Sequence, residues 1–209
     1  MIIAIADQCG TCGRSIGDTL AQLRAGSGRK VLVIDTQPPQ PAGAQDRGRL
    51  AAGVAARVPR RIFAGRSLSA ELEQLIPRYQ DIVIETDGRD MQGRAALIAA
   101  QLAIVPIQAG QADRNCHYAL IARLDAARMF NPGLHVRFVV AAGPAGPSSA
   151  DMLKIRDYVA QVMSARLCAT VIHAHDIGDG PEAADLPGTG SASSGACEMT
   201  ELYHDVFPA

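Results

Sequence analysis

Two hundred and nine residues, 48% hydrophobic and 20% charged, supply one sizeable core and fall short of two ordinary domains. Charge is balanced, with 20 basic residues against 21 acidic for a net of −1, which argues against a general polyanion binder, and the aliphatic content excludes a disordered chain. Uninterrupted apolar runs, 1–6 among them, reach no more than six residues, too short to span a bilayer; no cationic stretch precedes the first as in an export signal, so the expected compartment is the cytoplasm.

Residues 1–7 are a β-rich apolar run, followed by a glycine-bearing turn and a helical stretch over 16–25. Residues 30–35 (KVLVID) are apolar without alternation, the pattern of a strand buried on both faces. Pro38, Pro39 and Pro41 then forbid regular structure. Residues 47–66 hold six arginines and no acid, on a predicted helix and the turn beyond it. A short helix is predicted over 69–76, with Ser69 as its cap and Glu71 and Glu73 in its first turns.

A third buried strand follows at 81–86 (DIVIET), then a helix over 92–101 and a fourth strand over 102–107. The alternation continues with a helix over 113–129, a strand over 135–141, a helix over 149–165 and a short strand near 169–172. Met152, Ile155, Val159, Val162 and Met163 fall at helical spacing and are assigned to the core. Alternation of this kind predicts an α/β fold: a doubly wound, mainly parallel sheet of about six to eight strands with helices on both faces. After Arg166 there is no Lys or Arg, and seven acids occur. Residues 173–197, largely Gly, Ser, Ala and Pro from 178 onward, read as a long surface loop before a last helix near 198–206. The whole of 1–209 is expected to form a single domain.

The segment bearing the chemistry is Asp7-Gln8-Cys9-Gly10-Thr11-Cys12-Gly13-Arg14-Ser15-Ile16. Between a first strand and a first helix, backbone N–H groups and the helix N-terminus create an anion site. A phosphate loop needs glycines for curvature, a cation for the outer phosphates and a hydroxyl for Mg²⁺. Gly10, Gly13 and Ser15 meet part of that need, and Arg14 stands where a lysine would be sought.

These residues resemble the opening of the ParA/MinD-type partition ATPases, whose Lys-Gly-Gly-x-Gly-Lys-Ser/Thr-Thr aligns without gaps on Cys9 to Ile16. Asp35-Thr36-Gln37-Pro38-Pro39-Gln40 is similar to that family's Asp-x-Asp-Pro-Gln, and the stretch from Tyr79 to Thr86 to its Tyr-Asp-x-Val-Ile-Ile-Asp-Thr strand. Ile104-Val105-Pro106-Ile107-Gln108, with Gln111-Ala112-Asp113, resembles its Val-x-Val-Pro-x-x-Pro-Ser-x-x-Asp stretch. The likeness covers at least residues 1–172. It implies a ParA-like P-loop domain that binds ATP or ADP with Mg²⁺ through Gly10, Thr11, Cys12, Gly13, Arg14, Ser15 and Ile16, with Ser15 and Asp35 on the metal side. It also implies a homodimer that segregates plasmid, chromosome or other cargo with a ParB-like or cargo adaptor protein.

The departures fall on the chemistry. The family's signature lysine, which reaches across the dimer to the partner's phosphates, is Cys9 here, and its ordinary loop lysine is Arg14. The second glycine is Thr11 and the closing threonine Ile16. Gln37 and Glu85 occupy family aspartate positions, so no residue is assigned a catalytic role. An arginine fork is bulkier than an ammonium and cannot take the same slot. Phosphoryl transfer depends on positioning and positive charge, so the loss of both lysines implies slow hydrolysis or none.

Cys9-x-x-Cys12 at a helix start is also a thiol or metal pattern, and two such loops facing across a dimer would offer four thiolates to Zn²⁺ or an iron–sulfur cluster. Two small residues tolerated in a non-hydrolysing loop is the competing explanation. Cys116, Cys168 and Cys197 are read as small buried hydrophobes. His173 and His175 fall where the family places base contacts, or on a surface loop. Asp87, Arg89 and Asp90 are candidates for the ligand side of the sheet or for a solvated turn. The arginines of 47–66 are candidates for nonspecific DNA contact or for a solvated face.

Overall fold

Runs such as Ile2–Ala6 and Val31–Asp35 contain no exposed side chain, and a strand of that kind is stable only between two helical layers. The computed structural model describes residues 1–7, 13–36, 58–63, 67–86, 91–110, 115–143, 145–173 and 191–207; for 13–15, 115–117 and 191–196 it describes the helical backbone alone. Among these residues the chain forms β1 (Ile2–Ala6), α1 (Gly13–Gly26), β2 (Val31–Asp35), β3 (Arg60–Ile62), α2 (Leu68–Leu75), β4 (Asp81–Thr86) and α3 (Met91–Ala99). It continues with β5 (Leu102–Gln108), α4 (Asn115–Arg128), β6 (His135–Ala142), α5 (Ser149–Ala160), β7 (Ala165–His173) and α6 (Ser191–Val206).

The seven described strands make one sheet in the order β3-β2-β4-β1-β5-β6-β7, and every pairing is parallel. This is the doubly wound sheet that the alternating pattern predicts. On one face Leu68, Leu72, Leu97, Leu120, Leu124, Ile155 and Tyr158 pack over Ile82, Ile84, Val105 and Phe138. On the other, Ile16, Leu20 and Ala21 of α1 join Leu202, Val206 and Phe207 of the chain's end over Ile3, Ile5, Val33, Val83 and Ile104. Helices therefore cover both faces, α2 to α5 on one side and α1 with α6 on the other. No helix among the described residues is long and apolar enough to cross a membrane.

Several expectations need correction. The cap of α2 is Ser67, not Ser69: its extended backbone lets Oγ accept the Ala70 N–H at 3.3 Å, and Leu68 is already helical and buried. Within the arginine-rich 47–66 stretch the structure has a strand, β3, where a helix and turn were expected; residues 47–57 and 64–66 lie outside the described residues. Helix α5 stops at Ala160 instead of 165, because Ser164 turns to φ 54° and the chain enters β7 at Ala165, four residues ahead of the predicted strand. Val162 is therefore buried at the turn while Met163 is 70% exposed and is not a core residue. Helix α6 starts at Ser191, so 191–197 are helical, not loop; residues 174–190 lie outside the described residues.

Candidate functional site at the carboxyl edge of the sheet

The central neighbours β1 and β4 send their crossovers to opposite faces, β1 through α1 and β4 through α3. Such a pair opens a crevice beyond its carboxyl ends, where open α/β sheets bind ligands. The strand ends are tied together there by backbone. The Asp7 N–H donates to the Thr86 carbonyl at 3.0 Å, and the Thr36 N–H and hydroxyl both donate to the Glu85 carbonyl, each at 3.0 Å. The first turn of α1, Gly13 to Ser15, begins at this edge directly after the loop of residues 8–12, which lies outside the described residues.

Two candidate side chains, Asp35 and Glu85, end β2 and β4 side by side, because Asp35 is in register with Glu85. Both point to the α1 face and are buried, 5% and 4% exposed. Between them stands a guanidinium that the sequence reading did not place here. Arg60, on the edge strand β3, donates from Nη1 to Glu85 Oε2 at 2.6 Å and from Nη2 to Glu85 Oε1 at 3.0 Å. Its Nη1 also reaches Asp35 Oδ2 at 3.4 Å, and its Nη2 donates to Asp18 of α1. Bidentate fork-to-carboxylate geometry is the strong form of this interaction. Arg60 Nε is buried with no acceptor among the described residues, so this side chain is held by its terminal nitrogens.

Among the described residues one cation thus faces three carboxylates from three elements. Burial pushes the Glu85 carboxyl above the usual range. Arg60 opposes that shift, Asp18 and Asp35 reinforce it, and the net direction is upward. The Arg60 guanidinium stays charged, because its hydrogen bonds and the nearby carboxylates outweigh the cost of burying it. Glycine at position 17 is part of the arrangement. A Cβ there would come within 2.7 Å of Glu85 Oε1 and 3.3 Å of its Cγ, so α1 can approach the longer acid only without a side chain.

Of the other predicted site residues, Ile16 is 1% exposed and packs in the core beneath α1. The side chains of Gly13, Arg14 and Ser15 are outside the description, as are residues Cys9, Gly10, Thr11, Cys12, Gln37, Asp87, Arg89, Asp90 and His175 altogether. His173, the last residue of β7, is pinned to α6: its Nδ1 lies 2.8 Å from Glu198 Oε1, and its backbone N–H donates to Glu198 Oε2 at 2.9 Å. Cys168 is a buried core thiol whose pKa is pushed up to about 12 by burial and by Asp205, which makes it inert. Cys197, expected to be buried, is exposed.

The residues at the crevice do not fit a magnesium ion at Asp35. Mg²⁺ demands near-ideal octahedral oxygen coordination, and here the Asp35 and Glu85 carboxylates turn to a guanidinium. No group of three or more His, Cys, Asp or Glu among the described residues is arranged to hold a metal.

No family model matches the chain, and no curated protein matches it by sequence. Solved structures do match. The cobyrinic acid a,c-diamide synthase of Mycobacterium smegmatis, with bound ATP analog and magnesium, superimposes with a TM-score of 0.66 at 17% identity, over 98% of this chain and 93% of the other. The same synthase with ADP and magnesium gives 0.65 at 18% identity, over 98% and 93%. A plasmid partition protein from Borrelia burgdorferi gives 0.60 at 13% identity, over 98% and 96%. With its strand order, its two helical layers and these full-length superpositions, the chain has the α/β P-loop NTPase fold of the ParA/MinD type.

Proposed function

We propose that this chain is a ParA-like partition or positioning protein whose loop, residues 9–16, binds ATP or ADP and hydrolyses it slowly or not at all. In this reading it acts as a nucleotide-controlled binding or regulatory module in DNA, plasmid or cargo segregation, as a homodimer with a ParB-like or cargo adaptor protein. The observation that supports it best is placement. The α1 N-terminus, which begins at Gly13 and follows Gly10 in sequence, opens onto the crevice between β1 and β4 in a fold shared with a synthase solved with an ATP analog and with ADP. Backbone donors at such a helix start attract phosphate whatever the side chains.

Arg14 is the cation this loop offers, and Cys9 brings none. A transferring phosphoryl group is stabilised by position and positive charge, so the missing lysines should lower turnover by about 10³-fold or more. Magnesium is what the family pattern calls for at Ser15 and Asp35. Arg60 stands at Asp35, so no step is routed through the metal. Nonspecific DNA contact has narrower support than the arginine count gives: Arg60 is turned inward, and Arg61 pairs with Glu71 at 2.8 Å.

Calorimetry with ATP and ADP on reduced, chelator-treated protein tests the reading. Micromolar binding that Arg14→Ala weakens, with turnover at least about 10³-fold below a competent partition ATPase, is the expected result. Absence of binding to either nucleotide, or brisk hydrolysis abolished by Arg14→Ala, would overturn it.

A further inference from the structure

Arg60 is fixed in place by the sheet. It begins β3, in register with Val33 of β2, and the backbone on either side is tied to β2: the Val33 N–H donates to the Pro59 carbonyl at 3.0 Å and the Phe63 N–H to the Asp35 carbonyl at 2.8 Å. From that position its fork engages both oxygens of Glu85 and reaches Asp35 and Asp18. On the other side Gly17 leaves the room that the Glu85 carboxylate fills, since a Cβ there would come within 2.7 Å of Oε1. The two acids that a divalent cation would need are therefore already engaged by a cation belonging to the chain.

We infer that Arg60 is a resident cation that takes the place of a divalent metal ion at Asp35 and Glu85, so that the crevice holds its anionic ligand without metal. The second half of this statement rests on the nucleotide reading above; the first does not. A tethered guanidinium competes at high effective concentration, is charged at every accessible pH and matches carboxylate geometry with two parallel hydrogen bonds. Magnesium sheds its water reluctantly, and to reach Asp35 and Glu85 it would have to break that pair and leave an arginine buried beside a divalent charge.

Manganese is the probe, titrated into the full chain without nucleotide and followed by the EPR signal of the free ion. The wild-type chain should show no saturable site below about 1 mM, while Arg60→Gln should gain one site per chain, at least about tenfold tighter, that Asp35→Asn in the same background removes. One Mn²⁺ bound per wild-type chain and lost on Asp35→Asn would overturn the inference, as would a folded Arg60→Gln that gains no site. If Arg60→Gln does not fold, Arg60→Lys keeps a cation at the cluster and the wild-type titration still decides. In the same preparation, ATP affinity should differ by less than about twofold between EDTA and Mg²⁺, whereas a rise of tenfold or more with Mg²⁺ would overturn metal-free binding. No ATP binding in either buffer would remove the nucleotide reading and leave the manganese result to judge Arg60 alone.

Discussion

Asp81 and Glu85 lie four residues apart on β4, both buried and both on the face covered by α1, yet their surroundings are inverted. At the amino edge one carboxylate meets three cations. Arg24 Nε and Arg29 Nε approach Asp81 Oδ2 at 3.0 and 2.9 Å, and the Met1 ammonium lies 3.3 Å from Oδ1. At the carboxyl edge three carboxylates share Arg60. Burial would raise both acids. At Asp81 the hydrogen bonds from Arg29 and Arg24, with the Coulombic pull of Arg24 and the N-terminus, win and hold the pKa below its usual range; at Glu85 burial and two like charges win over one arginine, and the pKa rises. Depth and the ratio of cations to acids together set the sign: Glu85 carries the heavier burial cost and the fewer cations. An edge with excess cations ties down the chain terminus, and an edge short of cations among the described residues is where a ligand's charge can alter the balance.

The two acids consequently pull stability in opposite directions with pH. Asp81 contributes stability that is fully present above the ordinary aspartate range and lost as pH falls through its depressed folded value. Glu85 favours the folded state while protonated, and that advantage is lost as pH rises through its raised folded value. The largest test is Arg60→Ala, which leaves three carboxylates without their shared cation: urea unfolding should show a loss of about 3–5 kcal/mol at pH 7, shrinking as the pH is lowered and Glu85 takes up its proton. A cost independent of pH would break the comparison. Asp81→Asn should cost less, roughly 2–3 kcal/mol, since its arginine partners are partly exposed and regain water, and its cost should vanish on acidification.

Gly17→Ala sharpens the geometry. The helix-propensity gain of about 1 kcal/mol should be overturned by crowding against Glu85, for a net loss of roughly 1 kcal/mol. In a Glu85→Asp background the same change should become stabilising, because the shorter acid leaves room; a loss of equal size in both backgrounds would mean that Glu85 is not what the glycine accommodates. Tyr203→Phe is the smallest change. Its hydroxyl meets Arg24 Nη1 and Ser27 Oγ at 3.3 and 3.4 Å, both long, and thermal unfolding should register no more than about 0.5 kcal/mol.

The sheet was legible because its strands, 30–35 and 81–86 among them, are rich in β-branched residues and apolar on both faces. Asp35 and Glu85 were marked by the family resemblance, which aligns them on aspartate positions at the ends of those strands. Arg60 did not. In sequence it is one of six arginines, and a three-residue edge strand shows no period to separate it from Arg61 beside it. Only the register with β2 shows that one faces three acids while the other faces Glu71 and solvent. Gly17 carried no local signal either, since what it spares room for is 68 residues away in sequence and 2.7 Å away in space. The expected start of helix α6 was too late because Ser, Gly and Ala at 191–196 read as loop, whereas the buried residues described in it, Leu202 and Val206, lie in its second half.

Strand β3 also bears on how this edge of the described sheet resists strand-to-strand aggregation. An edge strand invites a neighbour's strand when it is long, flat and apolar. This one is three residues long, follows Pro59, and gives its first side chain to a charge cluster behind the sheet. A second chain adding alongside it would find too few backbone groups to pair with. The residue that balances the crevice thus sits on an edge that is too short to nucleate aggregation, and variants at Arg60 are best followed by light scattering as well as by unfolding.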